Sequence, residues 1–178
     1  AHGSFYGQWA AAGMNQDIPM VSTTFGQSGE VVSMPPEVVN GILVAGSYYE
    51  DLENPFNKKW LADFRKRNGT KYGYLMDVPP KDWYGWMLWG KAVKKAGSFK
   101  RDKVVEALES GLGIDGPGGP IKVDPKTHHC YMDIHLAQAK DGKFEIFRKV
   151  PNVPPTNIGN QCDLIANPDT NTMFIPKI

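Results

Sequence analysis

Cysteine is scarce in this chain of 178 residues: there are only Cys130 and Cys162, in neither a C-x-x-C nor a zinc-ligand spacing. A disulfide-framework fold and a cysteine metal centre are thereby excluded. Two independent thiols, or one disulfide formed in an oxidising compartment, remain open. Charge of one sign is lacking as well. Lys and Arg number 20 against 19 Asp and Glu, a formal net charge of +1. Such a balance leaves no footprint for nucleic acid or an anionic membrane surface. Long apolar runs are missing. The longest, around residues 42–45, is strand-sized and far short of the roughly 20 residues that cross a bilayer. The first residues, AHGSFYGQWAAAGM, have no basic n-region and no long apolar h-region, so they do not read as a signal peptide.

Catalytic signatures are absent too. The chain contains no nucleophile elbow, phosphate loop, zinc motif or dinucleotide fingerprint. His128 and His129 are adjacent, and neighbouring side chains on a strand leave by opposite faces, which makes a poor chelating pair. The carboxylates are scattered over polar helix faces. No nucleophile and no acid–base pair stands out, so the residues do not support an enzyme and call for no cofactor.

What is present is a composition of ordinary globular type, 41% hydrophobic and 22% charged, enough for one domain or part of a larger fold. The pattern is α/β first, then a run of strands. A first helix is expected from an N-cap at Ser4, with Phe5, Trp9 and Ala12 on one face and Gly13 at its end. A strand IPMVS, a polar loop TTFGQSGE, a proline-marked turn and a buried strand over residues 41–45 follow. NPFNKKWLADFRKRNG reads as an amphipathic helix with Phe56, Trp60 and Phe64 on its apolar side. A second long helix starts near Pro79 or Pro80 and is capped by Gly97, and a third carries Val104, Val105 and Leu108 inward. Strands then alternate, with Asp141-Gly142 as a hairpin turn, and the segment from Pro151 reads as coil.

Aromatics are the positive signal. DVPPKDWYGWMLWGKAVKKAG places Trp83, Tyr84, Trp86 and Trp89 on one helix. Trp83 and Tyr84 fall in its first turn, where a helix meets a cleft and its positive end favours an anionic group. Trp86 and Trp89 are expected to bury the helix against its neighbours. SYYE ends a strand with Tyr48 and Tyr49, which point opposite ways if the strand continues, so one can face a cleft.

The ordered series FYGQWAAAGM–IPMVS, NGILVAGSYYEDLENPFNKKWLADFRKRNG, WYGWMLWGKAVKKAGSFKRDKVVEALES and GPGGPIKVDPKTHHCYMDIHLAQAKDGKFEIF resembles the C-terminal half of the type I periplasmic solute-binding proteins of ABC importers. The resemblance covers nearly the whole chain. It implies an α/β fold with two Rossmann-like lobes closing on a solute, of which the N-terminal half is missing here. Residues 1–47 and 130–178 would belong to lobe 2, and residues 48–129 to lobe 1. The implied solute site comprises Thr23, Thr24 and Phe25, the crossing at Tyr48 and Tyr49, and the helix start at Trp83 and Tyr84. Amino-acid-binding relatives often carry a carboxylate in the first loop, where this chain has Thr-Thr. An ammonium ligand would therefore need Glu30 or Asp77. Hydroxyls and flat rings suit an amide, a urea-like group or an aromatic acid better. The resemblance also implies a periplasmic location, ABC transporter membrane subunits as partners, no cofactor, and a disulfide between Cys130 and Cys162. A ligand-sensing domain of the same fold is the alternative.

Overall fold

The computed structural model describes residues 2–69, 71–155 and 162–171. Its first stretch holds α1 (His2–Ala11), α2 (Met14–Asp17), β1 (Val21–Ser22), α3 (Glu30–Ser33), α4 (Pro36–Val39) and β2 (Leu43–Gly46). Three longer helices follow: α5 (Pro55–Asn68), α6 (Val78–Ala96) and α7 (Arg101–Glu109). Four strands close the series: β3 (Gly113–Ile114), β4 (Ile121–Val123), β5 (Cys130–Lys140) and β6 (Lys143–Val153). The α/β class and its order are as the sequence pattern predicts.

The sheet is organised by β5. Residues 135–138 of this strand pair with β2 and also with β6, so both of its edges are occupied there. Further up, Met132 pairs with Ile121 of β4 and with Val153 of β6. β2 and β4 therefore lie one beyond the other along the same edge of β5. The parallel pair β1–β2 is attached at one end of the β5–β6 ribbon, and the antiparallel pair β3–β4 at the other. The register shifts between Met132 and Ile134, a bulge that bends the ribbon between the two attachments. At the far end Asp141 and Gly142 have φ of 49° and 82°, the left-handed pair a type I′ hairpin requires.

Two cores form on this frame. The first gathers Tyr6, Phe25, Val44, Tyr49, Trp60 and Met76 around Phe144. The ring of Phe144 meets Tyr49, Tyr74 and Phe25 at centroid distances of 4.8, 5.6 and 5.9 Å. The second gathers Tyr84, Leu88 and Ala92 of α6 with Val104 and Ala107 of α7 and Ile121 and Val123 of β4. Trp83 packs against both. Trp60 and residues 74–76 belong to the first core, although the division by sequence puts them with the span 48–129.

Between the cores runs the glycine-rich loop 116–120. The Tyr84 hydroxyl accepts from Gly118 N at 3.0 Å and donates to Gly119 O at 2.6 Å. His135 Nε2 lies 3.1 Å from Gly118 O, and Asn54 Nδ2 donates to Pro117 O at 3.0 Å. The fit leaves no room for a side chain at its glycines. A Cβ on Gly116 would stand 2.1 Å from the Tyr84 ring, and one on Gly119 would stand 2.4 Å from Asp133 Oδ2.

Local expectations hold at the Asp141-Gly142 hairpin and at the end of α6, where Gly97 stands at φ 59°. Asn54 caps α5 by accepting from Asn57 N at 2.8 Å, Pro55 opens the helix, and Gly69 ends it at φ 63°. Others are corrected. Ser4 lies inside α1 instead of capping it, and the buried face of α1 is Tyr6 and Trp9, with Phe5 exposed. IPMVS pairs only over Val21–Ser22, and β6 continues through Pro151 to Val153 because β5 offers it an edge. Trp86 and Trp89 do not bury α6; they are 69% and 45% exposed. The helix buries its Tyr84, Leu88 and Ala92 line, and these two tryptophans lie about 200° and 140° round from Tyr84.

Two outcomes follow. Gly116→Ala should lower the unfolding free energy by about 2 kcal/mol through overpacking against Tyr84. Gly90→Ala, on the exposed side of α6 where nothing lies within 4 Å of the new Cβ, should raise it by about 0.5–1 kcal/mol. Urea unfolding of both variants measures the contrast. Alkaline pH is the second lever. Burial pushes the Tyr84 phenol up to about 12, and burial pushes Tyr48, Tyr49 and Tyr74 higher still. Unfolded tyrosines ionise near 10, so the stability from these neutral phenols is complete below about pH 10 and is lost as pH rises toward the folded values. Above pH 10 stability should fall by up to about 1.4 kcal/mol per pH unit for each of Tyr48, Tyr49, Tyr74 and Tyr84, followed by circular dichroism.

Candidate functional site

β1 and β2 are parallel, so their C-terminal ends open on the same edge, the place where α/β sheets bind ligands. The loop leaving β1 is shaped by its own side chains. Ser22 Oγ accepts from Thr24 N at 3.1 Å and from Phe25 N at 2.9 Å. Buried Glu30 Oε2 accepts from Gly26 N and Ser28 N, both at 3.0 Å. Thr23 and Thr24 are left exposed at the tip.

Asp77, at the start of α6 and 6% exposed, ties this edge together. Its Oδ1 accepts from Ser47 N at 3.0 Å, Ser47 Oγ at 2.8 Å and Tyr48 N at 2.8 Å. Its Oδ2 faces Lys81 Nζ at 3.0 Å and Gln27 Nε2 at 3.5 Å. One carboxylate thus joins the β1 loop, the end of β2 and the first turn of α6. The Lys81 side chain is half-exposed, so its ammonium is held by Asp77 and still faces solvent. A hollow of about 180 Å³ beside it is lined by Ser47, Lys81, Tyr84, Leu88, Gly119 and Asp133. A larger cavity of about 840 Å³ lies under the β6 side, with Asn54, Asp115, His135, Lys143 and Lys149 on its walls. It includes none of the strand-end residues, so the edge of β1 and β2 is the better candidate.

The residues expected from sequence separate into groups. Thr23, Thr24 and the first turn of α6 stand at this edge. Phe25, Tyr48 and Tyr49 do not offer a wall to it: they are 0%, 1% and 0% exposed. Phe25 stands edge-on to Tyr6 at 5.0 Å, Tyr48 to Trp60 at 5.6 Å, and the Tyr49 hydroxyl donates to Val44 O at 2.9 Å. Alternation fails at Tyr48 and Tyr49 because β2 ends at Gly46, and the chain turns so that both rings go inward. Trp83 is half-buried beside Phe56, and Tyr84 lines the small hollow while its hydroxyl serves the loop 116–120. Neither the 180 Å³ nor the 840 Å³ cavity contains Thr23, Tyr48 and Tyr84 together. Cys130 and Cys162 are both free thiols here, and burial pushes the Cys130 thiol up.

Sequence reasoning missed Ser47 and Lys81 and gave Asp77 only a substitute's role. The signal was an acid followed by Val-Pro-Pro and, four residues on, a lysine. Glu30 and Asp77 are both engaged, by two backbone N–H groups and by five partners respectively. Among the described residues no group of three or more His, Cys, Asp or Glu could hold a metal ion, and no helix is long and apolar enough to cross a membrane.

The described residues thus form two α/β cores joined by crossing segments, with polar groups gathered at the ends of two parallel strands. The sequence profile described as periplasmic binding protein matches residues 1–143, and the chain belongs to that family. A Leu/Ile/Val-binding protein homolog 6 of Brucella abortus is 29% identical over 109 residues, 58% of this chain and 27% of that protein. Among solved structures, a Rhodopseudomonas palustris BisB5 solute-binding protein of an ABC transporter, in complex with 3,4-dihydroxybenzoic acid, has TM-score 0.73 and 24% identity over 86% of this chain. An R. palustris solute-binding protein in complex with 4-hydroxybenzoate has TM-score 0.75 and 21% identity over 89% of this chain. A Brucella ovis leucine-, isoleucine-, valine-, threonine- and alanine-binding protein gives 0.67 and 17% over 82%. The chain spans 27% of the curated relative and 40–44% of these structures, so it makes up only part of the type I fold.

Removing the Asp77 carboxylate tests its place at this edge. Asp77→Ala should cost about 3 kcal/mol of unfolding free energy, because it strands the half-buried Ser47 donors and the buried Tyr48 N–H, and Asp77→Asn should cost less because Oδ1 is kept. Chemical denaturation of the two variants measures the difference.

Proposed function

We propose that this chain is part of an extracytoplasmic solute-binding component of an ABC importer, with no catalytic role, and that its solute is a small aromatic carboxylate. The first core is the lobe 2 portion and the second the lobe 1 portion, with the loop 116–120 and the β5–β6 ribbon crossing between them. The solute sits at the β1–β2 strand ends, against the loop carrying Thr23 and Thr24 and the first turn of α6 at Lys81. The rest of the fold and the membrane subunits of a transporter are its partners. The observation that carries this reading is the Asp77–Lys81 arrangement.

The charge pattern at the edge separates the solute classes. An amino acid brings an ammonium, and leaving it buried without an opposite charge is costly. Glu30 and Asp77, the carboxylates at hand, already accept from groups of their own. Lys81, the positive end of α6 and the threonine hydroxyls instead match a carboxylate. The R. palustris neighbours solved with hydroxybenzoates support the aromatic class, and the amino-acid-binding Brucella protein represents the competitor. Neighbours from ABC transporters support transport over a sensing domain of the same fold.

A thermal-shift screen on the polypeptide containing the complete fold tests the proposal, using 4-hydroxybenzoate, benzoate, leucine and urea. A carboxylate at about 100 times its Kd should stabilise the protein by about 2.7 kcal/mol, a rise of several degrees in Tm. Lys81→Met should weaken that carboxylate at least about tenfold, the scale of a lost charge-assisted bond. Stabilisation by leucine with no response to either benzoate would refute the aromatic-acid reading.

A further inference from the structure

Asp77 does more at the strand ends than hold Lys81: it fixes the direction of a hydroxyl. Ser47 Oγ donates to Asp77 Oδ1 at 2.8 Å. A carboxylate only accepts, so the single Ser47 proton is committed to it and the Oγ lone pairs are left to receive. Ser47 is half-buried, and among the described residues its Oγ accepts from no donor. Ser47 and Lys81 both line the hollow of about 180 Å³. Leu88, Pro120, Ile121 and Met132 supply apolar wall between them. An apolar cavity of about 150 Å³ admits a benzene ring, so this hollow has room for one substituted ring.

The other strong acceptors on the wall are engaged. The Tyr84 hydroxyl serves Gly118 and Gly119. Asp133 is 3% exposed, with Lys149 Nζ 2.7 Å from its Oδ2 and Asn152 N donating to its Oδ1 at 2.9 Å. Ser47 Oγ is the side-chain acceptor left for a bound molecule.

We infer that Ser47 is a specificity-determining residue of the solute site, and that the solute is a benzoate carrying a ring hydroxyl. The inference rests on the reading of the site as one for an aromatic carboxylate. The solute carboxylate meets the Lys81 ammonium, the ring enters the hollow, and the phenolic O–H donates to Ser47 Oγ. Lys81 and Ser47 bond to the two oxygens of one carboxylate, so cation and acceptor are neighbours, as two substituents of a single ring require. Because the Ser47 proton is already placed, a ring substituent that can only accept meets lone pairs instead of a donor. A ring without a donor covers Oγ and leaves it unpaired, which costs binding. A site that pairs a hydroxyl rejects the analogue lacking it more strongly than an apolar pocket rejects a missing methylene.

The test is calorimetric titration of the polypeptide containing the complete fold with benzoate, 4-fluorobenzoate and 2-, 3- and 4-hydroxybenzoate. The tighter of 3- and 4-hydroxybenzoate should bind about tenfold or more tighter than benzoate and 4-fluorobenzoate. 2-Hydroxybenzoate, whose hydroxyl turns onto its own carboxylate, should bind like benzoate. Ser47→Ala should bring the preferred hydroxybenzoate to within about twofold of benzoate and change benzoate itself by less than about threefold. Asp77 Oδ1 keeps the N–H groups of Ser47 and Tyr48 in that variant, so Lys81 stays anchored. The titration series on the unsubstituted protein decides the donor preference without any variant. Equal affinity for hydroxylated and plain benzoates overturns the inference and leaves the aromatic-acid reading standing. A preference that survives Ser47→Ala gives the hydroxyl to another group and overturns the role of Ser47. Heat from none of the benzoates overturns the inference and the aromatic-acid reading together.

Discussion

A strand has two edges, and β5 uses both. Over residues 135–138 it holds β2 on one side and β6 on the other, and at Met132 it holds β4 and β6. Because β2 and β4 are placed end to end along one edge, two separate layers must pack at two heights of a single ribbon. The two cores are the consequence, and so is the narrow waist between them. The bulge at Met132–Ile134 falls at that waist, where Asp133 Oδ1 accepts from Asn152 N at 2.9 Å and Oδ2 pairs with Lys149 at 2.7 Å. The β5–β6 register shifts a second time between Leu136 and Ala137, alongside β2.

What fills the waist is backbone. The loop 116–120 passes between Ser47, Tyr84 and Asp133 with no space for a Cβ on Gly116, Gly118 or Gly119, and its polar groups are met by Tyr84, His135 and Asn54. Asp77 does the same service a few residues away for the end of β2. Buried polar groups are expensive unless satisfied, so each of these contacts fixes a crossing segment more through the penalty of losing it than through its own net strength. The candidate site is assembled on this rigid base. Lys81 is held by the same carboxylate that closes the strand end, so a cation is presented at the edge without a flexible search.

Helix and turn chemistry was legible from residues alone. Gly97 ends α6 and Asp141-Gly142 makes the hairpin. These features depend on neighbours within about four residues, and local rules govern them. The ordered series of motifs also made the family legible. Much of the site was not. Phe25, Tyr48 and Tyr49 have the composition of a ligand wall, yet all three are core, since aromatic rings serve burial and recognition with the same chemistry.

The order of helices and strands, the glycine that ends α6 and the hairpin were therefore determined by the sequence itself, because each is settled by contacts within a turn or two. Which aromatic rings are inside was decided by the tertiary structure. β2 ends one residue before Ser47, so Tyr48 and Tyr49 both turn inward, and α6 spends its Tyr84–Leu88–Ala92 line on the second core, so Trp86 and Trp89 are left facing water. Strand length and helix rotation answer to what lies across the sheet, and no spacing along the chain records that.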